Sequence, residues 1–375
     1  MTIVYFSSVF NHHSMPLCDA LNSLPNVTCY FVATREEEAQ RKTLGYHGYE
    51  RDYVIDMLAS KENRQRAYHL ALEADVMIAG VFPYEFLKER LKKGKLTFLC
   101  QERMFKYHAS IKQKARAWFF NFRKFRTFKK KPLYFLAIGE GAARDYESIG
   151  YYKGKSFQWA YYPPFIEYDV DNLMAQKESA TVHILFAGRF IWWKHPEYAL
   201  RATKTLLEKG YNVDLTYVGT GEMEDALRQE ALDLGDAVSF LGAMLPEQVR
   251  KEMEKANILT FTSNIKEGWG AVVNEAMNAG CAVIADSAPG AVGTLIIDGC
   301  NGAVYNEENY DQFYKELEKM VADSSLTHRL GKAAYQTISE VYNAQVAAKR
   351  FVLQANALLN NEPLQSFDEG PMKKL

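Results

Sequence analysis

The residues whose types and spacing point most directly to chemistry are two glutamates, Glu267 and Glu275, in a glycine-bearing stretch. A β-like run ends near Thr262, a polar loop follows, and a helical pattern begins around Gly270. Glu267 is therefore expected in the loop and Glu275 about a turn and a half into the helix. Because of this separation, the two carboxylates are not expected to act on the same atom. A carboxylate accepts two hydrogen bonds side by side, which suits vicinal hydroxyl groups on a sugar or a ribose.

Gly268 and Gly270 flank the turn, where the missing Cβ lets backbone N–H groups approach a ligand closely. These N–H groups are expected at a helix N-terminus, which favours a phosphate or a polar sugar. The pattern predicts one carboxylate for each polyol, with phosphate between them. For the two glutamates alone, the competing interpretation is ordinary carboxylates that face water.

Several other segments accompany this stretch in the second half of the chain. They are Ile184–Arg189 with Lys194, Val218–Glu222, Val238–Gly242, Cys281–Asp286 and Asp298–Gly302. Together with the run from Glu267 to Gly280, they resemble the glutamate–seven–glutamate signature and flanking motifs of the retaining glycosyltransferases of family 4 (glycosyl transferases group 1), which have the GT-B fold. The resemblance is dense from about residue 183 to 306 and thin elsewhere, so it concerns the donor and not the acceptor.

The resemblance implies a role for each matching residue. Arg189 and Lys194 would hold the donor diphosphate, Glu275 the ribose hydroxyls and Glu267 the hydroxyls of the donor sugar; Glu267, Arg189 and Lys194 are the catalytic candidates. Because two cations can neutralise a leaving diphosphate, we expect no metal ion, and no cofactor besides the nucleoside diphosphate sugar as co-substrate. The further donor-binding candidates are Gly188, Gly219, Gly242, Met244, Gly268, Trp269, Gly270 and Ala271.

Acceptor-side candidates come from the first half of the chain, where open α/β sheets place ligands at the carboxyl ends of strands. They are Asn11, His12, His13, Glu102 and His108. The competing interpretation of the two adjacent histidines is a loop pair, one packed and one solvated. No general base is assigned, since the leaving diphosphate can itself accept the proton of the acceptor.

Asp169-Val-Asp171 has the D-x-D form of a metal motif found in the other large glycosyltransferase fold. It falls in a polar, weakly patterned stretch without a preceding strand, so we expect a surface loop.

A basic and aromatic segment from Arg103 to Lys131 contains 11 Lys or Arg residues and no Asp or Glu. Eight aromatic rings are interleaved with these cations, too many for one buried stripe. Three interpretations are open: nucleic acid, with rings stacked on bases; an anionic membrane surface; or a helix that packs its rings on its own domain. The membrane interpretation is favoured because lipid-linked acceptors lie at the cytoplasmic membrane face, and nucleic acid is not expected as a partner.

The elements that must position these residues follow from alternating apolar runs and amphipathic stretches, which predict parallel sheets with crossover helices. The strand candidates of the first half are Ile3–Phe6, Val27–Val32, Val76–Ala79, Leu96–Cys100 and Leu133–Ile138. Those of the second half are His183–Ala187, Val213–Val218, Val238–Leu241, Ile258–Thr262, Ala282–Ala285 and Ala303–Tyr305. A terminal helix is expected at about 339–361, followed by a frayed tail at 362–375.

The composition bounds the class of protein. The chain has 375 residues, 48% of them hydrophobic and 24% charged, with a net charge of −1. These values fit two folded domains and exclude a disordered chain or one that is basic over its whole surface. Five widely spaced cysteines without a C-x-x-C pair favour a reducing compartment. No signal-peptide pattern opens the chain, and no run approaches the roughly 18 apolar residues of a membrane span.

The expected architecture is α/β and GT-B-like, with two Rossmann-like domains facing across a cleft. Residues 1–163 would form an acceptor-binding domain and 164–340 a nucleotide-sugar-binding domain, while the helix and tail at 341–375 return to the N-terminal domain. The expected function is transfer of a sugar from a nucleoside diphosphate sugar, UDP-linked in preference to GDP-linked, to a saccharide or lipid-linked acceptor in bacterial polysaccharide or glycolipid synthesis. Retention and a cytoplasmic, peripheral-membrane location are expected. The alternatives are a non-catalytic sugar-nucleotide-binding or scaffolding protein, and a sugar-nucleotide epimerase.

Overall fold

The computed structural model describes residues 1–10, 13–36, 51–107, 109–125, 128–150 and 152–375. They form two compact units: Met1–Pro164 together with Tyr342–Leu375, and Phe165–Val341. Three acceptor-side candidates, Asn11, His12 and His108, lie outside the described residues.

The first unit contains a parallel seven-stranded sheet in the order β3-β2-β1-β4-β5-β6-β7. Its strands are β1 (Thr2–Ser7), β2 (Thr28–Ala33), β3 (Val54–Asp56), β4 (Val76–Ala79), β5 (Leu96–Gln101), β6 (Leu133–Ile138) and β7 (Ser156–Trp159). The central strands are apolar runs buried on both faces, as expected when crossover helices cover a parallel sheet. The crossover helices in the described ranges are α1 (Met15–Ser23), α2 (Lys61–Glu73), α3 (Tyr84–Lys92), α4 (Ile111–Phe125) and α5 (Glu140–Ser148).

The second unit contains a parallel six-stranded sheet in the order β10-β9-β8-β11-β12-β13. Its strands are β8 (Val182–Ala187), β9 (Val213–Val218), β10 (Val238–Phe240), β11 (Ile258–Phe261), β12 (Ala282–Asp286) and β13 (Ala303–Tyr305). Its helices are α6 (Val170–Gln176), α7 (Pro196–Glu208), α8 (Glu224–Glu230), α9 (Pro246–Lys255), α10 (Ala271–Asn278), α11 (Val292–Leu295), α12 (Tyr310–Ala322) and α13 (Ser324–Glu340). The core lies between this sheet and its helices.

The terminal segment completes the first unit. Helix α14 (Ala344–Asn360) packs against α1. The ring centroid of its buried Phe351 lies 5.0 Å from that of Phe98 and 5.8 Å from that of Trp159. The residues after α14 then run along the outer edge of β7, where the N–H of Gln158 donates to the carbonyl of Lys373 at 2.8 Å.

The expectation of two α/β domains with parallel sheets is confirmed, and every strand candidate coincides with an observed strand. Three local expectations were wrong. The terminal helix begins only at Ala344, because α13 ends at Glu340 and Asn343 is the N-cap of α14. The Asn343 side chain accepts the Val346 N–H at 2.9 Å. The tail is not frayed, because its backbone pairs with β7. Asp171 is not in a loop but in the first turn of α6, for which Asp169 is the N-cap, accepting the Asn172 N–H at 3.3 Å.

Candidate active site

Strand order reverses beside β8 in the second unit, since β8 pairs with β9 on one side and with β11 on the other. Such a switch point opens a crevice at the carboxyl ends of the strands, where α/β proteins bind ligands. The loop after β8 (188–195) and the loop after β11 (262–270) meet there. The N–H of Asn264 donates to the Trp193 carbonyl at 2.9 Å, and the Thr262 hydroxyl to the Lys194 carbonyl at 2.6 Å. The two loops are therefore joined by hydrogen bonds.

Lys194 and Glu267 form an ion pair at this junction. The Lys194 Nζ lies 2.5 Å from Glu267 Oε2, and both side chains are largely buried. An ammonium group has three donors, so Lys194 can keep this bond and still donate to a ligand. The structure thus brings together two residues that are distant in sequence and that the sequence assigned to one site.

Arg189 lies in the same loop, with its guanidinium carbon 5.7 Å from the centre of the Trp193 ring. Its side chain is exposed, and among the described residues it has no carboxylate partner. A guanidinium held over a ring face stays oriented, with its donors available to an anion.

Two glycines after β9 let the loop of Arg189 approach closely. A Cβ at Gly219, whose φ is +132°, would lie 1.9 Å from the Gly188 carbonyl oxygen, and one at Gly221 would lie 2.4 Å from that of Phe190. The N–H of Gly219 also donates to the Gly242 carbonyl at 2.8 Å. Both glycines are therefore required sterically. Gly242 and Met244 follow β10 at the same edge of the sheet.

Helix α10 carries Glu275. It begins after Gly270, whose φ of +95° is left-handed and whose Cβ would lie 2.3 Å from the Phe261 ring. Burial raises the pKa of Glu275 to about 7, although the nearby Arg250 lowers it. The Arg250 guanidinium itself donates to the Glu275 backbone carbonyl at 2.8 Å. Glu275 is thus a carboxyl group that is partly protonated near neutral pH.

Trp269 anchors the loop before α10. Its indole is buried, and its Nε1–H donates to the Asn274 side chain at 2.8 Å. The carbonyls of Gly268 and Trp269 accept the N–H groups of Gly290 and Ala291. Sequence reasoning missed Asn274, whose role depends on an indole five residues away that the helical pattern does not reveal.

A polar network under the same loops was also missed. His195 Nδ1 lies 2.9 Å from Glu197 Oε1, and the Asn264 amide donates to Glu308 Oε1 at 2.6 Å. His195 Nε2 lies 3.6 Å from the same Glu308 oxygen. Burial alone would lower the pKa of His195, but the two glutamates raise it, and the net shift is upward. These residues have no common spacing in the sequence, so no local signal predicts the network.

The buried carboxyl group of Asp286 holds the loop of Glu308. Asp286 accepts the Glu308 N–H at 2.8 Å and the Ala288 N–H at 2.9 Å. Burial raises its pKa to about 6, against the lowering effect of these two hydrogen bonds. Asp286 thus fixes backbone at the edge of the site.

In the first unit, a pocket of about 340 Å³ lies at the carboxyl ends of β1, β4, β5 and β6. Strand order reverses between β1 and β4, the equivalent switch point of this sheet. Glu102 lines the pocket, accepting from the Tyr161 hydroxyl at 3.0 Å, and the Lys106 ammonium lies 2.8 Å from its other oxygen. The ring of His13 lies 6.4 Å from that of Tyr161. Two of the acceptor-side candidates therefore share one region.

Residues 174–337 match the model of the family Glycosyl transferases group 1. The matched segment is less than half of the chain and contains Arg189, Lys194, Glu267 and Glu275. An uncharacterized glycosyltransferase of Methanocaldococcus jannaschii is 30% identical over 171 residues, which are 45% of this chain and 43% of that protein. The lipopolysaccharide 1,2-N-acetylglucosaminetransferase of Salmonella typhimurium is 28% identical over 194 residues, covering 48% and 50%. The chain thus spans about half the length of these two relatives.

Among solved structures, Anabaena HepE in complex with UDP and glucose matches with a TM-score of 0.64 at 14% identity. The match covers 94% of this chain and 98% of that one. The GT-B-like fold class is therefore confirmed over nearly the whole chain.

Two further observations bear on the site and its surroundings. Within the described ranges, no group of three or more His, Cys, Asp or Glu side chains is placed to hold a metal ion. None of the described helices is both long and apolar enough to cross a bilayer.

Proposed function

We propose that the protein is a retaining, metal-independent glycosyltransferase of family 4. It moves a sugar from a nucleoside diphosphate sugar to a saccharide or lipid-linked acceptor in the synthesis of a bacterial polysaccharide or glycolipid. The observation that carries the proposal is the pair of Lys194 and Glu267, joined at 2.5 Å at the switch point of a matched glycosyl transferases group 1 domain. It combines a cation for a leaving phosphate with a carboxylate for sugar hydroxyls.

Each group of the donor is then assigned to its own residues. Arg189 and Lys194 bind the diphosphate, Glu267 the hydroxyls of the sugar, and Glu275 the ribose hydroxyls. The N–H groups of Gly268, Trp269, Gly270 and Ala271 face the sugar or the phosphate at the start of α10. The base lies along Gly219, Gly242 and Met244, beside Gly188. A UDP-sugar is favoured over a GDP-sugar because HepE, which shares the fold, was solved with UDP and glucose.

The reaction needs little covalent chemistry from the protein. The bond between the anomeric carbon and the leaving phosphate oxygen breaks, and a bond to the acceptor oxygen forms on the same face of the sugar. The leaving diphosphate accepts the proton of the acceptor hydroxyl. Arg189 and Lys194 stabilise the negative charge that develops on the diphosphate, which removes the need for a divalent cation.

The acceptor is proposed to bind in the pocket of the first unit, beside Glu102 and His13. Both side chains lie near Tyr161, at a sheet edge where ligands of α/β domains bind. The pocket offers a carboxylate, hydroxyl groups and cations for a polar acceptor.

Helix α4 is proposed to bind the anionic surface of the inner face of the plasma membrane. Its Phe119 and Phe120 are 56% and 63% exposed, and the segment around it carries cations without an acidic residue. Lys and Arg are attracted to anionic headgroups while exposed aromatic rings enter the interface.

Vesicle sedimentation tests the membrane proposal. The double variant Phe119→Ser with Phe120→Ser should lose most of the partition into vesicles containing phosphatidylserine, whereas Leu58→Ser, at another exposed apolar site of the same unit, should not. Equal partition of the wild type into anionic and neutral vesicles would contradict the proposal, and binding to single-stranded nucleic acid instead would favour that partner.

A panel of nucleotide sugars tests the central proposal. One of them should raise the melting temperature, because a ligand of the folded state stabilises it with the logarithm of its concentration over its dissociation constant. The same compound should then release its nucleoside diphosphate when an acceptor is added. Glu275→Gln should weaken nucleotide binding, whereas Glu267→Gln should mainly lower turnover; the exposed Glu247→Gln is the matched control.

The alternatives give different outcomes in this assay. A sugar-nucleotide epimerase would convert the donor without an acceptor, and a non-catalytic binding protein would be stabilised by the donor without turnover under any acceptor. Stabilisation by none of the nucleotide sugars would contradict donor binding altogether.

A further inference from the structure

Beside the Lys194–Glu267 pair lies a surface of which the proposed donor site uses only the Trp193 ring, under Arg189. It consists of Trp192, Trp193 and Lys266, and we call it the indole–lysine surface. Trp192 is 48% exposed, an unusual position for the largest apolar side chain. The two indoles meet edge to face, with centroids 5.7 Å apart and planes at 84°.

The ammonium of Lys266 lies over both rings. Its Nζ is 3.8 Å from the centre of the Trp192 ring and 5.9 Å from that of Trp193. Among the described residues, Lys266 has no carboxylate partner, so the rings hold the cation in place without neutralising it.

The backbone beneath this surface is fixed. The Lys266 N–H donates to the Asn264 side chain at 3.1 Å, and the Asn264 N–H donates to the Trp193 carbonyl at 2.9 Å. In the sequence, Lys266 directly precedes Glu267, and Trp192 lies two residues before Lys194. The surface is therefore preorganised and continuous with the candidate active site.

We propose that the indole–lysine surface binds a sugar ring of the acceptor that carries an anionic substituent, a phosphate ester or a carboxylate. The apolar C–H face of a pyranose ring packs on an exposed indole, while the oriented ammonium of Lys266 pairs with the anion. Arg189 and Lys194 already provide the two cations that the donor diphosphate requires, so Lys266 is available for a second negative group. The inference rests on the proposed glycosyltransferase function and specifies the class of its acceptor.

Binding of simple sugars in the presence of saturating nucleotide tests this inference. The nucleotide, UDP or GDP, is the one that stabilises the protein, and it fills the phosphate site at Arg189 and Lys194. Saturation-transfer NMR titrations then compare glucose 6-phosphate, glucuronate and glucose. At low salt, the wild type should bind at least one anionic sugar about three- to tenfold more tightly than glucose, as expected for a partly exposed ion pair.

Two variants assign that preference to residues. Lys266→Met should abolish the preference for the anionic sugar, and Trp192→Ala should weaken all three sugars; Lys251→Met, at an exposed lysine of the same unit, should change neither. Preference for the phosphate alone or the carboxylate alone identifies the anionic group. Equal binding of the three sugars, binding of none, or a preference that persists in Lys266→Met would overturn the inference.

Failure of this inference differs from failure of the proposed function. If no nucleotide stabilises the protein, the proposed function itself is wrong. If a nucleotide binds but Lys266→Met leaves the sugar preference unchanged, only the assignment of the anionic acceptor is wrong.

Discussion

Glu275 lies where burial and a cation act on its carboxyl group in opposite directions. Burial is the larger effect, and it raises the pKa to about 7 from 4.5 despite Arg250. In the free protein this group is therefore close to half protonated at neutral pH. A ligand that donates two hydroxyl groups binds the ionised form, so donor affinity should increase as the pH rises through about 7.

The raised pKa also makes stability depend on pH. The folded protein holds the proton of Glu275 more tightly than the unfolded chain does. The contribution of this group to the free energy of unfolding is therefore fully present below about pH 4.5 and is lost as the pH rises through about 7. Glu275→Gln removes this loss. Between pH 5 and 8, the free energy of unfolding should fall by about 2–3 kcal/mol less in the variant than in the wild type. Hydrogen exchange of α10 amides across a urea series measures the difference, and Glu247→Gln should behave as the wild type.

Gly219 has both a positive φ and a neighbour that excludes a side chain. Gly219→Ala should destabilise the second unit by about 2–4 kcal/mol and weaken nucleotide binding, since the new Cβ would displace the loop of Gly188 and Arg189. Gly210 is a matched control, because its φ is +84° but a Cβ there meets nothing within 4 Å.

Gly210→Ala should therefore cost only about 1–2 kcal/mol of backbone strain and leave nucleotide binding unchanged. Urea unfolding and a nucleotide titration of both variants separate the two effects. Equal losses of stability and binding in the two variants would show that the close approach at Gly188 is unimportant.

At the scale of single residues, the sequence predicts those that lie in a recognisable sequence motif. It misses those whose role depends on a contact with another loop. Lys194 and Glu267 were predicted because each lies in a segment that resembles a motif of family 4, although their 2.5 Å contact was not. Lys266, His195 and Asn264 were missed, since the roles of these residues depend on neighbours from a different loop. Such contacts between loops form only when the whole sheet is assembled.

Among the elements, helix α14 packs its buried face into the core of the first unit, and Phe351 is the largest side chain on that face. Phe351 is fully buried against Phe98 and Trp159. Phe351→Ala should lower the free energy of unfolding of the first unit by about 3–5 kcal/mol, the usual cost of a large cavity. Leu353→Ala, two residues along the same helix and 45% exposed, should change it by less than about 1 kcal/mol.

Pulse proteolysis in urea, with fragments assigned to each unit, measures the stability of both variants. A similar decrease in the free energy of unfolding in the two variants would contradict the prediction that the buried face of α14 stabilises the first unit.

The strands that the sequence missed are β3 and β7, the two edges of the first sheet. Edge strands are short and mix polar with apolar residues, so their pattern is weak. The central strands were all found, because burial on both faces requires continuous apolar runs. The pairing of the tail with β7 was missed because backbone hydrogen bonds do not depend on side-chain type.

On the scale of the whole molecule, the second unit is one continuous segment, whereas the first is built from two. Alternating strands and helices predicted two such units, and the GT-B-like expectation placed residues 341–375 with the first; in the structure Tyr342–Leu375 belong to it. Residues 165–341 produced alone should therefore unfold cooperatively and retain nucleotide binding. Residues 1–164 alone should lack a cooperative transition, and adding 342–375 through a linker should restore it. Circular dichroism melts of the three fragments test this, and cooperative unfolding of 1–164 alone would contradict it.

The division of the first unit also sets an order of events on the ribosome. The segment of the second unit is synthesised while β5 and β7 still lack Phe351 and the tail that cover them. At about 5–20 residues per second, the first unit waits roughly 10–40 seconds for its last helix with apolar surface uncovered. A premature stop codon after residue 341 would therefore damage the oldest part of the nascent chain and leave the newest part intact, and chaperone demand during translation should be concentrated on the N-terminal half.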